Sequence, residues 1–401
     1  MNEPLGDQAD PEWHWWRERR GPAERLHLDS AAAGRSSAAT LAATAAHAER
    51  EAATGAYVAA AEAAPVLARG RAELACLLGV PPAGLAFVPN ASAALTALLA
   101  VWPFRDGDTV AVVPSEWGPN LHVFGRRGLR VTELATCGDG RVDLAAPAAC
   151  GDGRVDLAAL ERTLAQPPDR RPALVHLTQV ASHRGLVQPV AEAAALCRAA
   201  EVPLWVDAAQ ALGHVEVAGD ADAIYATSRK WLTGPRGVGL AGVAERWWDR
   251  LRVSVPDMVA EQQPAGSSPL WLVEWGEANV AAWIGLCTTV TEFVQAGPAR
   301  VWARLDQVGR LTREALADLP GWAVVDPVAA GSAITALRAR NGQDVPATRN
   351  RLLDEHGIVT TASAVTRAPR ELTTPLLRIS PHVDCTAADL ARLHRALLAL
   401  G

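Results

Sequence analysis

Ala226-Thr227-Ser228-Arg229-Lys230-Trp231, followed by Gly234-Pro235-Arg236-Gly237, holds the only lysine of a 401-residue chain in which lysine and arginine together number 38. Arginine keeps its proton, whereas a lysine amine can lose one and attack a carbonyl to form a Schiff base. An arginine-biased composition could also spare one lysine by chance, so the neighbours decide. Ala223–Ala226 reads as a short apolar strand, which puts Lys230 just past a strand end.

The same placement recurs through the chain. Leu85–Val88 runs into Pro89-Asn90-Ala91-Ser92 and then a helix over Ala93–Trp102. Thr109–Val113 runs into Ser115-Glu116-Trp117-Gly118-Pro119-Asn120. Ala173–Leu177 runs into Thr178-Gln179-Val180-Ala181-Ser182-His183, and Val202–Val206 into Asp207-Ala208-Ala209-Gln210. Leu129–Leu134 and Val238–Val243 read as further strands and Val190–Ala200 as a helix. Runs that are apolar on both faces suit a parallel sheet covered on both sides. Strands alternating with helices indicate a doubly wound α/β domain, whose ligands sit at the carboxyl ends of the strands.

Before this unit, residues 1–25 read as a polar start and Leu26-His27-Leu28-Asp29 as a short strand. The alanine-rich stretch Leu41–Leu78 reads as helical, with Gly55 and Pro65 marking a break or change of helix. Cys137–Ala146 recurs identically as Cys150–Ala159, which reads as a duplicated surface loop. Residues 254–270 read as a mobile loop. A second, smaller α/β unit is expected from Pro298, with strands at Trp322–Val325, Ala333–Leu337 and Leu376–Ser380 and helices at Pro298–Leu319, Ala347–His356 and Ala387–Leu400. The expected division is residues 1–40 as an N-terminal segment packing with the small domain, 41–297 as the large domain and 298–401 as the small one.

A net charge of −6 argues against a nucleic-acid or membrane-binding surface. No apolar run suits a membrane span, and Met1–Gly21 lacks a secretory pattern, so a cytoplasmic protein is expected. The six cysteines are scattered and read as reduced thiols, with no metal site. Tryptophan is abundant, at 14 residues against two tyrosines and four phenylalanines.

The strand-end residues form a chemical set. Asp207 could serve only as a turn or cap, but a carboxylate there also suits a pyridinium nitrogen, and pyridoxal phosphate uses such an acid to keep its ring protonated. Gln210 can bond the ring's phenolic oxygen. Ser92, Thr227 and Arg229, with the N–H groups of Ala91 and Ser92, can hold a phosphate. Trp117 can stack on the ring. Singly, Trp117 and His183 more often belong to a core.

Leu28-Asp29-Ser30-Ala31-Ala32, Asn90-Ala91-Ser92, Glu116-Trp117-x-x-Asn120, Ser182-His183-x-Gly185, Asp207-Ala-Ala-Gln210 and Ser228-Arg229-Lys230-x-x-x-Gly234-Pro235-x-Gly237 together resemble the class V aminotransferase family. The resemblance implies pyridoxal 5'-phosphate as cofactor and fold type I: a mostly parallel central sheet flanked by helices, plus a smaller α/β C-terminal domain. It implies a homodimer acting on a small-molecule amino acid. It makes Lys230 the Schiff-base lysine, Asp207 the pyridinium partner and Gln210 the phenolate partner, and adds Thr178 and His183 as cofactor contacts. Arg378 would take the substrate's α-carboxylate, with Asn120 a further substrate contact.

Within the family, Gly55-Ala-Tyr57-Val58, Leu174-Val-His176-Leu177-Thr178 and Gln210-Ala-Leu-Gly213-His214 are similar to the C–S lyases of ergothioneine biosynthesis. That implies β-elimination from a sulfoxide of a cysteine conjugate, giving a sulfenic acid, pyruvate and ammonia. The conjugate's trimethylammonium group would favour aromatic faces, for which Trp271, Trp275 and Tyr57 are candidates. Arg35 and Arg184 are candidates for its distal carboxylate. Desulfurases of the family carry a catalytic cysteine on the loop before the arginine strand, and here Thr361–Pro369 has none. Glu277 stands where many members have a phosphate-binding threonine. A desulfurase-like or epimerase enzyme acting on another amino acid is the alternative, and a non-catalytic protein on the same fold a further one.

Overall fold

The computed structural model describes residues 13–137, 153–217, 219–252, 270, 273–274 and 276–401. Strand β1, Leu26–His27, pairs in parallel with Ile358–Val359 near the other end of the chain. The central sheet has seven strands: β2 (Leu85–Val88), β3 (Thr109–Val112), β4 (Arg130–Glu133), β5 (Leu174–Thr178), β6 (Leu204–Asp207), β7 (Ala223–Thr227) and β8 (Gly239–Val243). Their order is β2-β8-β7-β6-β5-β3-β4. Only β8 runs against its neighbours. The carboxyl ends of the other six therefore share one edge, as expected of a mostly parallel sheet.

Both faces of the sheet are covered. Val110, Val112, Leu174, Trp205, Ala223 and Tyr225 pack with Ala94, Leu95 and Leu98 of helix Ala91–Val101 and with Phe124. Val175, Leu177, Leu204, Val206, Ile224 and Ala226 pack on the opposite side with Val190, Ala193 and Ala194 of helix Val190–Ala199. Side chains alternate along a strand with a period of two. His176 and Thr178 therefore share the first face with Leu174, Asp207 shares it with Trp205, and Thr227 with Tyr225. One face carries polar groups at the sheet's carboxyl edge, and the other carries apolar core.

A second sheet, in the order β12-β13-β10-β9, is antiparallel throughout and comprises β9 (Trp322–Val324), β10 (Thr335–Ala339), β12 (Thr361–Ser363) and β13 (Leu376–Ile379). β11 is Ile358–Val359, the partner of β1. An isolated bridge joins Asp29 to Ser380.

Two local expectations need correction. Gly55, with φ +90°, does separate helices Ala38–Thr54 and Ala56–Leu78, but Pro65 lies inside the second without ending it. That helix packs against Val280–Ala296, and tertiary packing outweighs the loss of one backbone donor. The second copy of the repeat is not merely a surface loop. Val155 is buried, and Asp156 accepts a hydrogen bond from Ala159 N to cap helix Leu157–Leu164. The copies differ in their downstream neighbours: Pro147 comes after the first, the helix-forming Leu160-Glu161-Arg162 after the second. The first copy lies almost entirely outside the described residues, as do Trp271, Trp275 and nearly all of the 254–270 loop.

Candidate active site

Lys230 is presented by a loop that close packing holds in place. Ser228 Oγ donates to the carbonyl of Val238 at 2.9 Å and also contacts that of Pro235. Gly34 N donates to the Arg229 carbonyl at 2.7 Å. A Cβ at Gly34 would strike the Lys230 carbonyl oxygen and stand 2.7 Å from Thr233 Cγ2. Trp231, next in sequence, is fully buried, stacks on His214 at 3.8 Å and donates from Nε1 to Gln210 Oε1 at 2.8 Å. Gly34→Ala is therefore expected to overpack the loop, costing about 1–3 kcal/mol in denaturant unfolding of the cofactor-free protein. Unfolding at the wild-type denaturant midpoint would refute the tight fit.

The loop borders a cavity of about 330 Å³, at the small end of the range of roughly 300–1,000 Å³ usual for small-molecule sites. Ala91, Ser92, Trp117, Asn120, Thr178, Asp207, Gln210, Thr227, Arg229 and Lys230 all line it. Period two and the shared carboxyl edge bring them together from five strands and their following turns. Asn90 caps helix Ala91–Val101 by accepting from Ala93 N, leaving the first-turn N–H groups of Ala91 and Ser92 for an anion. Gly239 lets β8 pass beneath this turn, since a Cβ there would lie 2.6 Å from the Asn90 carbonyl carbon. Arg229 and the exposed Arg236 add positive charge nearby.

Electrostatics prepare the lysine and the acid. Burial pulls the Lys230 ammonium down to about 7; Asp207 opposes this, and the guanidiniums of Arg229, Arg378 and Arg367 add to it. Near neutral pH much of Lys230 is thus a free amine. Burial raises the Asp207 carboxyl, with Lys230 opposing and Glu116 adding. Asp207 Oδ1 accepts from Ala209 N at 2.8 Å, and Oδ2 accepts from Asn120 Nδ2 at 3.2 Å. Gln210 gives one amide hydrogen to the Ala31 carbonyl at 2.9 Å, which leaves the other for a ligand. A neutral amine, a facing carboxylate, an amide donor and a cationic helix N-terminus fit pyridoxal phosphate.

Five sequence-based assignments do not meet the cavity. His183 is fully buried and pairs with Glu371 at 3.2 Å, while Arg184 pairs with the other oxygen of the same carboxylate at 2.6 Å. Burial favours the neutral acid, but Arg184 and His183 outweigh it and hold Glu371 at about 2. His183 is therefore part of a structural ion cluster. Arg35 donates to the carbonyls of Arg20 and Gly21, both at 2.9 Å, and lines a neighbouring cleft. Tyr57 is 84% exposed on helix Ala56–Leu78. Arg378 is fully buried, donating to Asp29 Oδ1 at 2.9 Å and to the Ser182 carbonyl at 2.6 Å. Its charge reaches Lys230, but both terminal nitrogens of its fork are engaged. Glu277 is exposed.

Four residues escaped the sequence reading as individuals. Glu116, His176 and Tyr225 are buried beside Asp207, and Arg367 lies over the Trp117 ring at 5.4 Å. His176 and Tyr225 did leave a signal, as polar side chains at alternate positions of otherwise apolar strands. Arg367 left none beyond its place on the loop before Arg378. That loop packs closely on the helix starting at Gly118, where a Cβ would strike the Thr366 carbonyl oxygen.

Comparison with known proteins identifies the family. The family model described as aminotransferase class-V matches residues 26–393. A Mycobacterium tuberculosis (strain CDC 1551 / Oshkosh) protein named "Probable hercynylcysteine sulfoxide lyase" is 46% identical over 99% of this chain and 95% of its own. An isopenicillin N epimerase of Amycolatopsis lactamdurans is 28% identical over 83% of this chain and 84% of its own. Among solved structures, a cysteine desulfurase from Thermococcus onnurineus NA1 superposes with a TM-score of 0.80 at 20% identity, covering 94% of each chain. A cavity built around Lys230 and Asp207 at the carboxyl edge of this sheet, and a family match spanning almost the whole chain, lead to one assignment: the protein belongs to the class V aminotransferase family.

Proposed function

We propose that the protein is a pyridoxal-phosphate-dependent C–S lyase that cleaves hercynylcysteine sulfoxide by β-elimination. The observation that carries this reading is the single lysine, buried with Asp207 in a cavity that also holds a helix N-terminus suited to an anion, its ammonium pulled down to about 7 by that burial. The mycobacterial relative's name supports the choice of substrate.

When bound, pyridoxal phosphate supplies an electron sink for the charge that develops at the substrate's Cα. The first turn of helix Ala91–Val101, with Thr227 and Arg229, would hold the phosphate, Asp207 would pair with the ring nitrogen and Trp117 would support the ring. Lys230, as a free amine, takes the Cα proton. The Cβ–S bond then breaks, and its electron pair leaves with sulfur as a sulfenate. The remaining three-carbon enamine hydrolyses to pyruvate and ammonia. Two equivalents of an added thiol, joined as a disulfide, supply the two electrons that reduce the sulfenic acid to ergothioneine, and its oxygen leaves as water.

Arg367 takes a carboxylate of the substrate. It is half-buried over Trp117, which lines the cavity, and among the described residues no ion pair holds it, whereas Arg378 is held by Asp29. Burial lowers Arg367 to about 10, with Arg378 adding and Asp29 opposing, so it stays charged at pH 7.

A desulfurase reaction needs a thiolate near the substrate. The loop Thr361–Pro369 has no cysteine, and burial drives the Cys385 thiol well above its ordinary range, with Asp389 and Asp384 adding. Incubation of the cofactor-loaded enzyme with hercynylcysteine sulfoxide and a thiol should release equal amounts of pyruvate and ergothioneine. Alanine in place of pyruvate, or no turnover, would sink the lyase reading. In the same assay Arg367→Met should raise KM roughly tenfold or more, the loss expected of a charge-assisted bond.

A homodimeric assembly, domain limits at residues 40 and 297 and a cytoplasmic setting belong to the same proposal. The pairing of β1 with β11 supports grouping the N-terminal segment with the C-terminal unit. Among the described residues no helix is long and apolar enough to cross a membrane. Sedimentation equilibrium tests the assembly.

A further inference from the structure

Beneath Asp207 lies a buried polar cluster. Glu116 and His176 are both 0% exposed, and Glu116 Oε2 lies 2.7 Å from His176 Nδ1. His176 Nε2 is 2.9 Å from the Tyr225 hydroxyl. Asn120 Nδ2 lies 3.0 Å from that hydroxyl, 2.9 Å from Glu116 Oε1 and 3.2 Å from Asp207 Oδ2. Thr178 Oγ1 and Trp117 N also donate to Glu116 Oε1. Such a cluster is costly to bury unless its members satisfy one another.

The direction of the hydrogen bonds depends on one proton. If His176 is an imidazolium, Nδ1–H donates to Glu116 and Nε2–H donates to the Tyr225 oxygen. The phenolic hydrogen is then free to turn toward Asp207, the cross-strand neighbour that shares the Asn120 amide with the Tyr225 hydroxyl at 3.2 and 3.0 Å. If His176 is neutral with its proton on Nδ1, Nε2 must accept from Tyr225, and Asp207 loses that donor. The titratable groups facing His176 are Glu116, Tyr225 and, at longer range, Asp207; its other neighbours include the apolar Val112 and Trp205 across the sheet and the edge of Phe124 at 5.1 Å. Burial disfavours the imidazolium, but the Glu116 carboxylate at contact distance overrides it and raises the His176 pKa.

We propose that Glu116 and His176 form a buried ion pair that orients the Tyr225 hydroxyl toward Asp207, making Glu116, His176 and Tyr225 positioning residues that keep Asp207 an anionic acceptor for the cofactor's ring nitrogen. This rests on the pyridoxal-phosphate reading and extends it one layer outward. Asp207 sits where burial and the Glu116 charge both favour its neutral form, which would be a poor partner for a pyridinium. A directed donor on its flank counters that tendency without adding an exposed charge.

Two measurements test it. In the cofactor-free protein, ¹⁵N spectra of labelled histidine, with the His176 signals assigned by their loss in His176→Gln, should show both ring nitrogens protonated at pH 8. A single protonated nitrogen there overturns the ion pair, whatever the cofactor does. In the holoenzyme, ring-¹⁵N-labelled pyridoxal phosphate should show a protonated ring nitrogen. Tyr225→Phe and Glu116→Gln should lower the pH at which that proton is lost by about one unit or more, and weaken cofactor affinity roughly tenfold, as expected for a lost bond to a charged group. Tyr225→Phe removes one oxygen and keeps the ring's packing, so it decides the matter if Glu116→Gln fails to fold. A ring nitrogen in Tyr225→Phe that titrates as in wild type overturns the proposal. Failure of the wild-type protein to bind the cofactor would overturn the underlying reading instead, and leave the histidine result standing.

Discussion

Lys230→Ala should reduce lyase turnover by about 10⁴-fold or more, the upper end of what loss of a general base costs, because no other lysine exists to replace it. The variant should still fold. Its pH dependence carries the sharper signature. In the folded protein the ammonium is held at about 7, against an ordinary 10.5. Between those values the unfolded chain binds a proton that the folded chain has given up, so cofactor-free stability should rise with pH across that window. Lys230→Ala should flatten the rise, as read from urea midpoints between pH 7 and 10. An amine-directed reagent on the cofactor-free wild type should label the peptide containing Lys230 with a half-maximal rate near pH 7. Labelling that follows the ordinary lysine value would contradict the site described.

Asp207→Asn should cost about 10²–10³-fold in kcat, comparable to removal of one preorganised electrostatic group. The side chain keeps its size and can still accept from Ala209 N, so the loss isolates the charge. The change also creates a conflict: an amide nitrogen at the Oδ2 position would face Asn120 Nδ2, 3.2 Å away in the native protein, donor against donor. Asn120 has other acceptors in the Tyr225 hydroxyl and Glu116, so it can turn away without unfolding the site. Asp207→Glu restores charge but lengthens the arm, and is expected to recover little activity. An Asp207→Asn enzyme that keeps a third of wild-type kcat would show that the carboxylate is not the ring-nitrogen partner.

The central sheet was legible because its strands other than β4 are short, mostly apolar runs, and those bordering the site are followed by small or polar groups. Lys230, Asp207, Gln210 and the Ala91–Ser92 turn were placed together by that regularity alone. The misplaced residues that form ion pairs depended on partners distant in sequence. His183 and Arg184 are captured by Glu371, and Arg378 by Asp29, residues nearly 190 and 350 positions away. Nothing local announces which carboxylate an arginine will meet. Pro65 misled because propensity is weaker than packing in a helix of 23 residues. Glu116 and His176 were visible as letters in a motif, but their joint burial required the sheet's register.

That register has a consequence for how the protein could be monitored. Thr178, Asp207, Tyr225 and Thr227 reach the cavity because three adjacent strands are in phase. A slip of β6 by a single residue would turn Asp207 away and bring Val206 to its place. Misthreaded molecules could keep a compact, apolar interior and still offer no acid to the ring. Cofactor colour is therefore a readout of correct strand threading, and refolding yield judged by it should fall below yield judged by compactness alone.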